Sequence, residues 1–133
     1  MNIHPSLTQQ PFEVLQQVLN EIPVACFMID REHRILVWNK GCEQITGKPA
    51  SQMLGCREVW QAFYPEARPL LADMLVEGVL FEQLSTYYAG QARKSSMFEG
   101  AVEIEAFFPH IGSQGRWLYA TVAPVRFTSM VNI

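Results

Sequence analysis

The sequence predicts an α+β domain, in which an antiparallel sheet carries short helices on one face and an amphipathic helix stands at the N-terminus. Two pairs of β-rich segments, one near each end of the chain, are each joined by a turn. Between them, Pro and Gly divide the sequence into short helical pieces. The 133 residues fit a single domain, and a hydrophobic fraction of 49% is sufficient for a packed core.

The first element is an amphipathic helix predicted for residues 11–22. Residues 1–10 are polar and are expected to be flexible. Pro11 suits the first position of a helix, and Pro23 prevents its continuation. Apolar residues recur at the spacing of one helical face, namely at Val14, Leu15, Val18, Leu19 and Ile22.

A β-hairpin follows the helix. The segments VACFMID and RILVWN are separated by the charged turn REH, and Asp30 suits a tight connection. We interpret His33 as a residue of the exposed tip rather than as a catalytic group. Asn39 is expected to cap the short helix KGCEQITG, which Gly47 ends.

Three further helical pieces and a second hairpin complete the chain. The pieces are PASQMLG, CREVWQAF and YPEARPLLADMLVEG, of which the last is predicted to be the longest. Residues 79–100 fit strand or helix equally well. The segments AVEIEAFFPHI and RWLYATVAPVRF, joined by GSQG, form the second hairpin, and only TSMVNI remains after Phe127.

Composition excludes several classes of function. The net charge is −3 and there is no basic patch, so nucleic-acid binding is not expected. No apolar run approaches the ~20 residues of a membrane span, and the N-terminus lacks the pattern of a signal peptide. The cysteines Cys26, Cys42 and Cys56 are odd in number and form no CxxC pair. These features predict a cytoplasmic protein with reduced thiols and no membrane partner.

The chain resembles a PAS domain, the sensory fold of many bacterial signalling proteins. The resemblance rests on the order of IPVACFMIDREHRILVWNKGCEQITG, MLG, LLADMLVEG, AVEIEAFFPH and GRWLYATVAPVRF. It implies a PAS-like sensory domain over residues 23–133, with a sheet of nominally five strands. Because so little chain follows Phe127, we expect the last strand to be truncated. The stretch FYPEARPLLAD resembles members found before diguanylate cyclase (GGDEF) or histidine kinase output domains.

The resemblance and the two-residue period of strands predict a ligand pocket on the inner face of the sheet. Inner-face strand residues would combine there with aromatic and aliphatic residues of the helical pieces. The pocket candidates are Phe27, Ile29, Trp60, Phe63, Tyr64, Leu71, Met74, Leu75, Ile104, Ala106, Leu118 and Ala120. Tyr64, Thr86, Tyr87 and Tyr88 would supply polar contacts to an organic ligand.

The opposite face of the sheet is unusually apolar for a surface that meets water. A second copy of the domain, or the N-terminal helix, would cover it. In the family this helix and face often form a dimer, so we expect a homodimer. The dimer-interface candidates are Val14, Leu15, Val18, Leu19, Ile22, Val24, Met28, Trp38, Trp117 and Tyr119.

No common cofactor is predicted. The segment that resembles the haem-ligating helix has no His, which disfavours haem. Cys56 directly follows Gly55, whereas the flavin photosensor motif GxNCRxLQ separates the two, and Leu118 stands where a flavin-binding Asn would be expected. No catalytic or metal-ligating cluster is visible in the sequence. Two alternatives remain for the pocket: an unidentified small organic ligand, or an aromatic and Met-rich interior that is plain core.

The sequence therefore predicts a non-enzymatic sensory module of a bacterial signal-transduction protein. It would sense a small ligand, or relay a conformational signal through a dimer, and act on a C-terminal output domain such as a diguanylate cyclase or histidine kinase. The alternatives are a ligand-free interaction and dimerisation module, or a small α+β enzyme with an apolar pocket.

Overall fold

The computed structural model describes residues 11–125. Within this range the chain divides into two compact units, with the boundary between Ala62 and Phe63. The predicted flexible N-terminus, residues 1–10, and the segment TSMVNI lie outside the described residues. The mixed α+β class is confirmed, since five α-helices accompany antiparallel strands in the described range.

The first unit contains three helices and one hairpin. Its elements in order are α1 (Pro11–Glu21), β1 (Phe27–Ile29), β2 (Ile35–Trp38), α2 (Lys40–Thr46), α3 (Ala50–Met53) and a 3₁₀ turn (Val59–Ala62). Helix α1 ends one residue before the predicted boundary and has no buried residue. Gly47, at φ 76°, ends α2 as predicted.

Asn39 joins three elements of the first unit. Its Oδ1 accepts hydrogen bonds from the backbone N–H of Cys42 at 3.1 Å and of Cys26 at 2.8 Å. Its Nδ2 donates to the carbonyls of Leu19 at 2.8 Å and Val24 at 2.7 Å. The predicted helix cap is therefore confirmed, and the same amide also ties the end of α1 to the start of the hairpin.

The turn between β1 and β2 is built around Asp30. Its Oδ1 accepts from the backbone N–H groups of Glu32 and Arg34, both at 2.9 Å. Partial desolvation acts to raise the pKa of Asp30, but these hydrogen bonds and the Arg34 guanidinium hold it below its ordinary value. His33 lies in this turn as expected, with a φ of 70°, but it is partly rather than fully exposed.

The second unit contains two helices and three strands. They are α4 (Leu71–Val76), α5 (Phe81–Tyr87), β3 (Ala92–Lys94), β4 (Val102–Phe108) and β5 (Arg116–Val122). The ambiguous residues 79–100 thus form a helix and then a strand. Helix α4 is much shorter than predicted, because Pro65 and Pro69 disfavour helix before it and the Asp73 carboxylate accepts from the Leu70 N–H at its start.

Two of the sequence-based expectations about the sheet are wrong. The described strands form two antiparallel sheets, β1–β2 and β3–β4–β5, rather than one. The expected truncation of the last strand is not seen among the described residues, where β5 runs for seven residues and pairs with β4 along its length. β3 has only three residues and lies next to a loop, so the sequence pattern does not reveal it as one of the five strands.

The two faces of β4 and β5 are as predicted. Ile104 opposes Ala120 and Ala106 opposes Leu118, whereas Glu105 opposes Tyr119 and Phe107 opposes Trp117. Directly opposed residues of antiparallel strands share a face. In the first set, Ala106 and Ala120 pack against a buried cluster of the second unit to which Ile104 itself belongs. The cluster consists of Leu71, Met74, Leu84, Tyr88, Ala92, Val102 and Ile104.

The face assignment in the first hairpin is wrong. Phe27 opposes Trp38, with their ring centroids 5.6 Å apart, so both residues lie on one face. Trp38 is buried and donates its indole N–H to the Lys48 carbonyl at 2.9 Å. Alternation within each strand does not determine the register between β1 and β2, and the irregular register between Met28 and Ile29 changes which of their residues share a face.

Candidate ligand-binding site

A cleft of about 500 Å³ lies within the second unit. It is bounded by the loop Tyr64–Arg68, by the end of α5 and its turn into β3, and by the end of β4 with Trp117 beside it. This volume is within the range of sites that bind small organic molecules.

Arg68 is the basic side chain of the cleft wall. Its guanidinium carbon lies 4.0 Å from the ring centroid of Tyr64 and 4.6 Å from that of Tyr87. Such contacts stabilise the cation and fix its plane. Within the described residues the Nε–H of Arg68 is buried without an acceptor, and Arg68 forms no ion pair.

Tyr88, which also lines the cleft, carries a second unsatisfied polar group. The residue is only 7% exposed, and its hydroxyl has no hydrogen-bond partner among the described residues. Burial is the main cause that raises the pKa of Tyr88, so the hydroxyl keeps its proton at neutral pH. The Leu71 backbone N–H lies near the oxygen and opposes this rise, but it does not reach hydrogen-bond geometry.

The local sequence explains why these side chains meet. Arg68 lies between Pro65 and Pro69, which keep the loop out of the helical conformation. Tyr87 is the last residue of α5 and Tyr88 is its C-cap, and the positive φ of Ala89 and Gly90 prevents the helix from continuing. Tyr88 packs into the core of the unit, whereas Tyr87 remains 44% exposed.

Acidic and aromatic residues form the rest of the wall. Glu66 and Glu105 line the cleft, and His110 stands exposed at its rim. The rings of Phe107 and Trp117 lie 5.6 Å apart across the β4–β5 pair. Burial raises the pKa of Tyr64, and the nearby Arg68 charge partly offsets that rise.

The predicted pocket residues are distributed over both units. Phe27, Ile29 and Trp60 belong to the first unit, where each is half-buried. In the second unit, Leu71, Met74 and Ile104 are core residues, and the remaining aliphatic candidates pack close to them or pair beside them in the sheet, namely Leu75, Ala106, Leu118 and Ala120. The rings of Phe63 and Tyr64 contact Phe108.

Of the twelve pocket candidates, Tyr64 and Ala106 line the cleft. Tyr87 and Tyr88, which were expected to provide polar contacts, line it as well, whereas Thr86 bonds to the Glu82 carbonyl of its own helix. Sequence reasoning missed Arg68. Its position between two prolines in an aromatic stretch was a weak signal for a fixed cation.

The dimer-interface candidates also differ in exposure. Leu15, Val18 and Val24 are more than half exposed in the first unit, as are Trp117 and Tyr119 in the second. Four others are half-buried, namely Val14, Leu19, Ile22 and Met28. Trp38 is buried within its own unit, so it cannot belong to an exposed apolar face.

Other kinds of site find little support in the described residues. Between residues 11 and 125, no three His, Cys, Asp or Glu side chains are grouped as a metal ion would require. In the same range, none of the helices combines the length and apolar character needed to cross a bilayer.

Within the described residues, two antiparallel sheets accompany short helices. The family model of the PAS fold matches residues 13–129 of the chain. The chain therefore belongs to the PAS family, whose members are generally sensory rather than catalytic. Comparison with curated proteins finds no match. Comparison with solved structures also finds none.

Proposed function

We propose that this domain senses a small organic ligand in the cleft of its second unit and passes the signal to an output domain of the same protein. One observation carries the proposal: two buried hydrogen-bond donors, the Arg68 Nε–H and the Tyr88 hydroxyl, border one ligand-sized cleft without an acceptor. Buried donors are almost always satisfied in folded proteins. A ligand that accepts both hydrogen bonds would remove this cost.

The signal would be a shift between conformations. A ligand moves such an equilibrium only by its difference in affinity for the two states. The Asn39 amide supports a route through the first unit, because it joins the end of α1 to β1 and α2. A change in that unit would thus be passed to the N-terminal helix.

The signal would be relayed through a homodimer. Helix α1 buries none of its residues, and Phe12, Leu15 and Val18 are each more than half exposed. Isolated helices of this length are marginal in water, so a second copy that covered this stripe would stabilise the helix. A cytoplasmic bacterial protein with a C-terminal diguanylate cyclase or histidine kinase domain is the setting that the resemblance favours.

Native mass spectrometry of the freshly purified protein tests the proposal. We expect a dimer mass that carries an additional few hundred daltons, and release of that mass on denaturation. The extra mass should be absent or reduced in Tyr88→Phe and retained in Arg93→Gln, whose guanidinium already bonds Glu103 outside the cleft. A protein without extra mass that also binds no small molecule would contradict ligand sensing.

The outer face of the second sheet favours another candidate, a ligand-free interaction module. Trp117 is 62% exposed and Tyr119 58% exposed, beside the half-exposed Phe107. Such aromatic surfaces are typical of protein interfaces. A dimer without bound ligand, dissociated by Trp117→Ala but not by Tyr88→Phe, would favour this reading.

A further inference from the structure

We propose that the ligand is a small aromatic monocarboxylate, whose carboxylate is held by Arg68 and Tyr88 and whose ring lies against the aromatic wall of the cleft. This inference rests on the proposed function and names the class of molecule that the site would recognise.

The Arg68 Nε–H and the Tyr88 hydroxyl both lack a hydrogen-bond acceptor. A guanidinium has only donors. The Tyr88 hydroxyl already has the Leu71 N–H near its oxygen, so the capacity that remains is its proton. Because Tyr64 and Tyr87 contact the guanidinium over their rings, the Arg68 N–H edge is the part that remains for a ligand. That edge matches the paired oxygens of a carboxylate.

The charge of the wall favours a monoanion over a dianion. Glu66 and Glu105 line the same cleft as Arg68, so two carboxylates accompany one guanidinium. A phosphate monoester, with close to two negative charges at neutral pH, would be repelled more strongly than a carboxylate. His110 at the rim adds a ring nitrogen as a further polar contact.

The remaining surface favours a flat ring. Tyr64, Tyr87, Phe107 and Trp117 contribute aromatic side chains to one cleft. Planar ligands gain from offset or edge-to-face contacts with such rings. The cleft of about 500 Å³ accommodates a fused two-ring molecule.

The Arg93 cluster offers a matched comparison within the same unit. Its Nε donates to Glu103 at 2.8 Å and its Nη2 donates to the Tyr119 hydroxyl at 2.8 Å. Its guanidinium also lies 5.5 Å from the Tyr119 ring centroid. This arginine combines a cation–π contact with satisfied donors, so it has no comparable need for a ligand and serves as the control.

Three probes with one ring system test the ligand class in the full chain. We would titrate 2-naphthoate, its neutral amide 2-naphthamide and 2-naphthyl phosphate by calorimetry, and follow the backbone N–H signals by NMR. The expected dissociation constant for 2-naphthoate is about 1 mM or tighter, from the typical binding energy per atom of small ligands. Loss of the charge-assisted hydrogen bonds should weaken the amide about tenfold or more.

Variants then assign the contacts. Tyr88→Phe and Arg68→Gln should each weaken 2-naphthoate binding about tenfold, while Arg93→Gln should leave it unchanged. Arg68→Lys should fail to restore full affinity because the ammonium lacks the planar fork. Circular dichroism verifies that each variant is folded. Should Arg68→Gln unfold, Tyr88→Phe alone decides, since it removes one oxygen atom.

Several results would overturn the inference. Equal binding of naphthoate and naphthamide, tighter binding of the phosphate, no binding of any probe, or equal weakening by Arg93→Gln would each do so. These failures are distinguishable from failure of the proposed function. A released ligand without an acidic group would leave ligand sensing standing and remove only the carboxylate assignment. Absence of both a released ligand and probe binding would remove both.

Discussion

At the scale of single residues, the second unit keeps a buried hydroxyl at a cost to its own stability. Tyr88 packs among apolar residues of the core, yet its oxygen gains no hydrogen bond among the described residues. A buried polar group without a partner costs about 1–3 kcal/mol. Residues that fit the fold poorly in this way are often those that serve binding.

The first prediction is that Tyr88→Phe stabilises the ligand-free protein. Removal of the unsatisfied hydroxyl should raise the free energy of unfolding by about 1 kcal/mol, since the ring and its packing remain. Urea unfolding measures the change, and Tyr64→Phe is a control at a residue that is only half-buried. A destabilised Tyr88→Phe would show that the hydroxyl has an internal partner.

The second prediction concerns the alkaline limit of stability. Burial is the main cause that raises the pKa of Cys42 to about 12, against an ordinary value of 9.0. Well below pH 9 the thiol is protonated in both folded and unfolded chains. Above it the unfolded chain loses the proton first, so the free energy of unfolding should fall between pH 9 and pH 12.

Cys42→Ala separates this contribution from that of other groups. The variant should lose less unfolding free energy than the parent protein between pH 9 and pH 11, measured by urea unfolding at each pH. Its backbone N–H still donates to Asn39, so the helix cap is retained. Equal pH slopes for the two proteins would mean that Cys42 does not control the decline.

At the scale of elements, one amide joins a helix, a hairpin and a second helix. Asn39 is 2% exposed and makes four hydrogen bonds to backbone groups. The neighbouring Gly41 allows the backbone to approach closely here, because a Cβ at this position would lie only 2.7 Å from the Ala25 nitrogen. Asn39 therefore connects α1 to the rest of the first unit.

The third prediction is that Asn39→Ala loosens this link. It should lower the free energy of unfolding by about 2–4 kcal/mol, because it removes the cap and leaves buried backbone groups unpaired. Hydrogen exchange should quicken in α1 more than in α4. Asn39→Ser should recover about 1 kcal/mol through the cap to Cys42 without restoring the bonds to Leu19 and Val24.

Asn20→Ala is the matched control, since it removes an amide from α1 that is only partly buried. If it lowered stability and protection as much as Asn39→Ala, the special role of Asn39 would be refuted. Retained protection of α1 in Asn39→Ala would also refute it.

The sequence was most informative where a local rule determines the outcome. The Asn39 cap and the Gly47 stop depend on short-range geometry, and both could be read directly. The two faces of β4 and β5 followed from alternation over seven residues. Alternation did not predict the faces of the shorter hairpin correctly, because the register between β1 and β2 is irregular between Met28 and Ile29.

The candidate site was less predictable, since its members are brought together by loops. Tyr64 and Tyr88 could be named as aromatic residues with polar tips, but their relation to Arg68 depends on where α4 begins and α5 ends. Burial without a hydrogen bond is a property of the folded chain. No pattern of residue types indicates it.

At the scale of the whole molecule, the exposed stripe of α1 leads to the fourth prediction. If a second copy covers this stripe, Leu15→Glu should weaken the dimer by about tenfold or more, because a charge would be buried in an apolar contact. Sedimentation equilibrium measures the dissociation constant. Gln16→Glu places the same charge one residue away on the exposed polar side and should have little effect.

A monomeric parent protein at high micromolar concentration would contradict the dimer, as would equal dissociation constants for the two variants. A dimer that responds to Trp117→Ala and not to Leu15→Glu would instead place the contact on the outer face of the second sheet. The two surfaces can thus be separated by the same measurement.

The lone hydroxyl of Tyr88 also has an evolutionary consequence. Codons for tyrosine and phenylalanine differ at a single base, so mutation continually offers the more stable side chain at this position. A lineage that no longer needs the cleft should drift to phenylalanine there, with nothing lost in folding. Once relatives are aligned, the residue at this place would separate chains that still detect a ligand from those that keep only the scaffold.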